Sequence, residues 1–219
     1  DARDHGDHDD GADAPPLPGG DTLDLFPLRT VLFPGGLLRL KVFEARYLDL
    51  IGRCLRTQEP FGVVCLKQGS EVRGVDSEPV RFESIGVLAR LVDVDAHEPG
   101  ILRVSCTGEL RFQLAQSHQR ADGLWCGQVR MLAADASLAP PAELAQTVAA
   151  LSNAIEALQA QGQLPFAEPH RLDDAGWVAN RWCELLPISL QARQRLMELD
   201  QPVQRLKLVD DFLRGKGVV

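Results

Sequence analysis

No stretch of the chain approaches roughly 18 consecutive apolar residues, so no membrane-spanning helix is expected. The first twenty residues lack an apolar segment flanked by basic ones, so no signal peptide is read there and a cytoplasmic setting is expected. Cysteine is sparse and odd in number: Cys54, Cys65, Cys106, Cys126 and Cys183 include no CxxC pair and no other ligand-like spacing. Zinc centres and structural disulfides need closer pairs, so these five are expected to be small buried hydrophobes kept reduced, with no metal. The glycine-rich phosphate loops GxxxxGK[ST] and GxGxxG are missing, and Gly215-Lys216-Gly217 stands alone near the C-terminus, so no nucleotide cofactor is expected. GxSxG and SxxK are missing too. Basic residues number 23 against 31 acidic ones and form no stripe, so nucleic acid is not an expected partner.

What is there is ordinary for a globular protein: 219 residues, 45% hydrophobic and 25% charged, enough for one good core or two modest ones. Of the net charge of −8, residues 1–20 supply five through six Asp and one Arg, which leaves the body nearly neutral. Residues 1–23 read as an acidic, disordered tail, because Asp, His, Gly and Pro without apolar content cannot offset the entropy of ordering. His5 and His8 among the aspartates form no specific metal motif.

Residues 24–134 read as a β-rich unit. DLFPL (24–28) and LLRLKV (37–42) flank the turn Phe33-Pro34-Gly35-Gly36, FGVVCLK (61–67) suits a buried strand, and IGVLARLVDVD (85–95) is apolar on both faces for most of its length. Over 101–114, Leu102, Val104, Cys106, Gly108, Leu110, Phe112 and Leu114 share one parity, predicting a long half-buried strand bent or bulged near Gly108. LWCGQVRML (124–132) follows the turn Ala121-Asp122-Gly123 as its hairpin partner. One helix interrupts the strands, from Glu44 to about Thr57, with Leu48, Ile51 and Leu55 on the buried face beside Tyr47 and Cys54. From 135 to 219 the period becomes helical. Leu144, Val148, Leu151, Ile155 and Leu158 form one stripe; Asp173 or Asp174 caps a second helix, Ser189 a third, and Pro202 opens the last. Strands followed by helices predict an α+β fold.

Chemistry is harder to find. The sequence leaves a Cys–His pairing open, with Cys65, Cys106 or Cys126 beside His118 as the combination that would make an enzyme. Of the carboxylate pairs, Asp173/Asp174 is explained by capping, Asp210/Asp211 by a solvated helix face and Asp93/Asp95 by a strand end, so no catalytic residue is assigned. Trp177 and Trp182 lie about 140° apart around one helix and cannot form one stacking platform. Trp182 reads as core, and Trp177 as a lid, an anchor or a contact between the two halves.

Several segments together are similar to a known family. Leu25-Phe26-Pro27-Leu28, Val31-Leu32-Phe33-Pro34-Gly35 and Leu38-x-Leu40-x-Val42-Phe43-Glu44-x-Arg46-Tyr47 resemble the opening of a Lon-type N-terminal substrate-binding domain. Phe61-Gly62-Val63-Val64, Gly86-x-x-Ala89-Arg90, Val104-x-Cys106-x-Gly108-x-x-Arg111-Phe112 and Leu185-Leu186-Pro187-Ile188-Ser189 with Gln194-x-Leu196-x-Glu198 extend the resemblance over 24–214. It implies a PUA-like β pseudo-barrel with a helical bundle behind it, and the engagement of polypeptide substrates for an ATP-dependent protease. The ATPase and peptidase domains of full-length Lon are missing, so the expectation is a stand-alone, non-enzymatic module. It would bind unfolded or extended polypeptide segments, or a protease or chaperone partner. Curled sheets offer edges on which an extended segment adds a strand. Phe33, Pro34, Leu37, Leu38 and Tyr47 are the candidate contact residues, with Phe33 alternatively a core plug. Glu44 and Arg46 read as structural, and the polar loop 67–79 as a further contact surface. The alternatives are a small-molecule enzyme with a Cys/His site and, by analogy to PUA-like barrels, a nucleic-acid binder.

Overall fold

The alternating segments become seven strands in a computed structural model that describes residues 22–69, 71 and 79–219. In chain order they are β1 (Thr22–Leu28), β2 (Leu37–Val42), β3 (Phe61–Gln68), β4 (Arg81–Phe82), β5 (Ile85–Asp95), β6 (Leu102–Gln119) and β7 (Trp125–Met131). The tail expected over 1–23 does not include its last two residues. Thr22 and Leu23 open β1, where Leu23 is buried, and the rest of that segment, with His5 and His8, lies outside the described residues.

Pairing runs β1–β7–β6–β5–β3 and returns from β3 to β1 through a parallel pairing that sets Leu25 against Gly62, so the strands close a ring. Among the described residues five α-helices accompany it: α1 (Ala45–Thr57), α2 (Ala145–Ala160), α3 (Ala175–Leu185), α4 (Leu190–Glu198) and α5 (Pro202–Gly215). Asp174 caps α3 by accepting from the Trp177 amide at 3.0 Å, and Ser189 caps α4 through the Ala192 amide at 3.0 Å.

Two apolar clusters divide the strand side chains. The larger joins Phe26, Val63, Val87 and Cys106 from the ring with Tyr47, Leu50 and Ile51 of α1 and with residues of all the later helices, so strands and helices bury one continuous core. The smaller, Leu23, Leu25, Val64, Leu88 and Phe112, contains strand residues only. These side chains bury one another without help from any helix, as a curled sheet permits.

Four readings need correction. In α1, Leu55 is exposed and Leu50 takes its place inside, because the buried stripe runs through Arg46, Tyr47, Leu50, Ile51 and Cys54. Strand β6 extends five residues beyond 114 through the polar segment to Gln119, held by pairing with β7 rather than by burial. Its parity also changes. A bulge between the Ala89–Gly108 and Val87–Arg111 pairs turns Leu110 outward and Arg111 inward, and leaves Phe112 and Leu114 on the second cluster. Finally, Asp210 is buried rather than solvated. It accepts from the Thr147 hydroxyl at 2.6 Å and from Arg214 at 2.8 Å, while Trp182 donates to the Thr147 carbonyl at 2.9 Å, tying α2, α3 and α5 together.

Two buried arginines converge on the C-terminal end of α4. Arg111 of β6 donates to the carbonyls of Met197, Glu198 and Leu199 at 3.1–3.2 Å, at the C-terminal end of α4. Arg205 of α5 donates to the Leu196 carbonyl at 2.8 Å and to Asn180 at 3.1 Å. Asp135 lies between them, 2.8 Å from Arg205 and 3.7 Å from Arg111. Cations at a helix C-terminus satisfy its orphan carbonyls and its dipole, and the shared carboxylate compensates the buried charge.

Candidate functional site

The site grows out of the turn that launches β2. The Gly36 amide donates to the Phe33 carbonyl at 2.9 Å, while Gly35 donates to Gly108 and Gly108 to Gly36, each at 2.8 Å. Gly35 adopts φ +77°, which favours glycine. A Cβ on Gly36 would stand 2.6 Å from Glu184, so the bare backbone admits the Arg181–Glu184 pair of α3 against the turn. Arg181, fully buried, donates to the Pro34 carbonyl at 2.9 Å and to Glu184 at 2.8 Å, with the rings of Phe166 and Trp177 within 6 Å of its guanidinium. Burial pushes the Glu184 carboxyl up to about 7 against the opposing pull of Arg181.

Among the described residues strand β2 pairs with β6 alone, Leu37 opposite Thr107 through Val42 opposite Leu102, and none of them pairs with its other edge. Because Gly108 donates to the Gly36 carbonyl, the alternation of an antiparallel ladder turns the N–H and C=O of Leu37, Arg39 and Lys41 away from β6. Leu38, Leu40 and Val42 pack on the main core, and Arg39 and Lys41 project to solvent.

A cleft of about 400 Å³ follows this strand, with Phe26, Leu28, Leu38, Leu40, Phe43 and Tyr47 as its apolar wall and Arg39, Lys41, Glu44 and Glu71 as its charged rim. Phe43 is half exposed, an isolated aromatic left in water at the end of the strand. A smaller cleft of about 220 Å³ continues past Leu37 to Pro165, Phe166, Leu185 and Arg193, and shares Thr30 and Leu38 with the first.

The residues singled out from sequence fall unequally around this edge. Leu37 and Leu38 are half-buried and line it. Pro34 is half-buried and spends its carbonyl on Arg181 and Asn180. Phe33 is completely buried, so its role here is that of the core plug and it offers no surface. Tyr47 is also buried, with its ring stacked on Phe26 at 3.9 Å and its hydroxyl pushed up to about 12 by desolvation, and it reaches the cleft only as part of the floor. Glu44 and Arg46 are tied at 3.2 Å, and Arg46 donates to the Gly123 carbonyl at 2.8 Å, anchoring α1 to the β6–β7 turn. Of the loop 67–79, Ser70 and residues 72–78 lie outside the described residues; Glu71 lines the cleft and accepts from the Arg29 amide at 2.6 Å. Sequence reasoning passed over Phe43, Leu40, Arg39 and Lys41, although they stood in the same apolar-charged alternation. Their signal is the free edge, which only the pairing reveals.

Among the described residues one Cys–His pair does form. His118 and Cys126 face each other across β6 and β7, with Sγ 3.1 Å from Nε2. Cys126 is wholly buried, and neither residue lines the clefts along β2. The other thiols are pushed up by burial, Cys54 and Cys65 to about 11, Cys106 and Cys183 to about 12. Trp177 is buried against Phe166 and His170. Among the described residues no helix is long and apolar enough to cross a membrane.

Residues 22–215 match the family of the ATP-dependent protease La (LON) substrate-binding domain. The chain belongs to that family. A Lon protease of Anaeromyxobacter dehalogenans is 25% identical over 200 residues, which covers 89% of this chain and 23% of that protein, so the chain spans about a quarter of this Lon relative's length. Among solved structures, a Lon N-terminal domain protein from Xanthomonas campestris is 32% identical with a TM-score of 0.66, over 86% of this chain and 96% of that one. The N-terminal domain of a Mycobacterium avium complex Lon protease, 15% identical, shares the fold at a TM-score of 0.57 over 88% of this chain and 98% of that one. The family match and the fold are thus those of a Lon N-terminal domain.

Proposed function

We propose that the chain is a non-catalytic polypeptide-binding module of the Lon substrate-binding type, which takes extended or unfolded segments on the free edge of β2. The observation that carries this reading is a strand edge, unpaired among the described residues, bordered by an apolar cleft and by the half-exposed Phe43. An added strand gains main-chain hydrogen bonds from the edge and side-chain burial from the cleft. In this reading the closed ring is the PUA-like pseudo-barrel of a β-rich unit ending at residue 134, and the helices of 135–219 form a bundle that braces the turn through Arg181. The setting is cytoplasmic, and the natural partner is a protease or chaperone that receives the captured segment.

The test is a fluorescence titration with a reduced, permanently unfolded model protein. Saturable binding with Kd of about 10 µM is expected, and Phe43→Ser should weaken it about tenfold, the equivalent of ~1.4 kcal/mol, while leaving the thermal unfolding midpoint unchanged. Absence of binding at about 100 µM defeats the proposal.

The 3.1 Å contact between Cys126 and His118 supports one second reading, thiol chemistry on the sheet. Competition between the two is settled by alkylating the native protein at neutral pH. All five buried thiols should label only as fast as the protein opens. Rapid labelling of Cys126 that disappears in His118→Ala would favour the enzyme instead.

A further inference from the structure

On two rows of the sheet's outward face the charges run in one direction, while the next row, Leu37–Thr107–Arg90, carries no acid. Cross-strand partners share a face, and the registers place Lys41 beside Arg103 and Arg103 beside Asp95, with Arg39 beside Ser105 and Ser105 beside Asp93. The acidic end of these two rows lies on β5 and the basic end on β2, at the free edge. Arg103 is answered by Glu98 at 3.0 Å. Among the described residues Lys41 makes no ion pair, and Arg39 donates only to the Leu164 carbonyl, at 3.0 Å. The two acids on the cleft rim are already engaged, Glu44 with Arg46 and Glu71 with the Arg29 amide. The next position in these two rows belongs to whatever strand is added.

Resting on the polypeptide-binding reading above, we infer that the segment accepted by β2 alternates apolar and acidic residues. Its apolar side chains lie beside Leu38 and Leu40 in the cleft, and its carboxylates lie opposite Arg39 and Lys41. Oppositely charged cross-strand neighbours stabilise a pair, and like charges directly opposite destabilise it. The same rule disfavours a second copy as the occupant, because β2 paired with β2 would bring Arg39 and Lys41 against their own kind.

Three labelled ten-residue peptides test this: alternating Val-Glu, Val-Lys and Val-Ser, each titrated by fluorescence anisotropy at low salt. The Val-Glu peptide should bind about tenfold tighter than Val-Lys, with Val-Ser between them, and the preference should shrink as salt screens it. The protein's net charge of −8 acts against an acidic ligand, so a general field would give the opposite order. The double variant R39E/K41E, altered only at exposed side chains, should reverse the ranking. Equal binding of all three peptides overturns the inference and leaves the polypeptide-binding reading standing. Binding by none overturns both. A dimer in sedimentation that the Val-Glu peptide dissociates would assign the edge to a second copy and overturn the inference as well.

Discussion

Asp135→Ala is expected to cost about 3–5 kcal/mol in urea unfolding, lowering the thermal midpoint by about 10 °C. Asp135 is the carboxylate shared by Arg205 and Arg111, two guanidinium groups with almost no solvent exposure. Neither can move into water without abandoning the carbonyls of Leu196, Met197, Glu198 and Leu199 that it holds. The substitution therefore strips Arg205 of its carboxylate and leaves Arg111 only the exposed Asp200, which is far more costly than losing an exposed pair. Asp200 provides the internal control. It also touches Arg111, at 3.3 Å, but its side chain is 82% exposed, so Asp200→Ala should cost under about 1 kcal/mol. Similar losses from the two variants would mean that water screens the Asp135 network and that the two halves are held by apolar contacts instead.

Gly108→Ala should have the next largest effect, a loss of about 1–3 kcal/mol by thermal or urea denaturation. A methyl group there would stand 2.3 Å from the Phe33 carbonyl oxygen and 3.2 Å from the Leu32 side chain. Backbone meets backbone at this point, so no rotamer change relieves the contact. The 33–36 turn must retreat from β6, breaking its two hydrogen bonds to Gly108, and Leu37 and Leu38 move with it. Polypeptide binding should fall as well. Gly52→Ala is the contrasting case: it lies inside α1 with only the end of Arg56 nearby, at 3.5 Å, and should stabilise by about 0.5–1 kcal/mol through helix propensity. A neutral Gly108→Ala would show that the turn is loosely docked.

Much of this architecture was legible before any coordinates. Period-2 alternation located β6 and its bend at Gly108, and the capping roles of Asp174 and Ser189 follow from side chains that compete for amides in the first turn. What the pattern misjudged has a common cause. Hydrophobic alternation assumes one buried face per strand, whereas β6 serves two clusters in turn, so Arg111 enters the interior where an apolar residue was expected and Leu110 leaves it. Asp210 likewise read as solvated because the partner that draws it inward, Thr147, comes from α2, far away in the chain. The candidate site was half legible. The 33–47 segment drew attention, yet its most conspicuous members, Phe33 and Tyr47, are inside, and the usable surface belongs to the strand between them. An unpaired edge carries no composition of its own; it is defined by a neighbour that never arrives.

The ring closes through its first strand. Between β1 and its antiparallel neighbour β7 lie about a hundred residues, Leu25 pairing with Trp125, whereas its parallel neighbour β3 is much nearer in the chain. Such distant pairings are slow to form, because chain entropy is lost before the contact returns anything. During synthesis β1 is therefore the earliest stave made and the last to gain both flanks, waiting until residue 131 has left the ribosome before the hoop can shut.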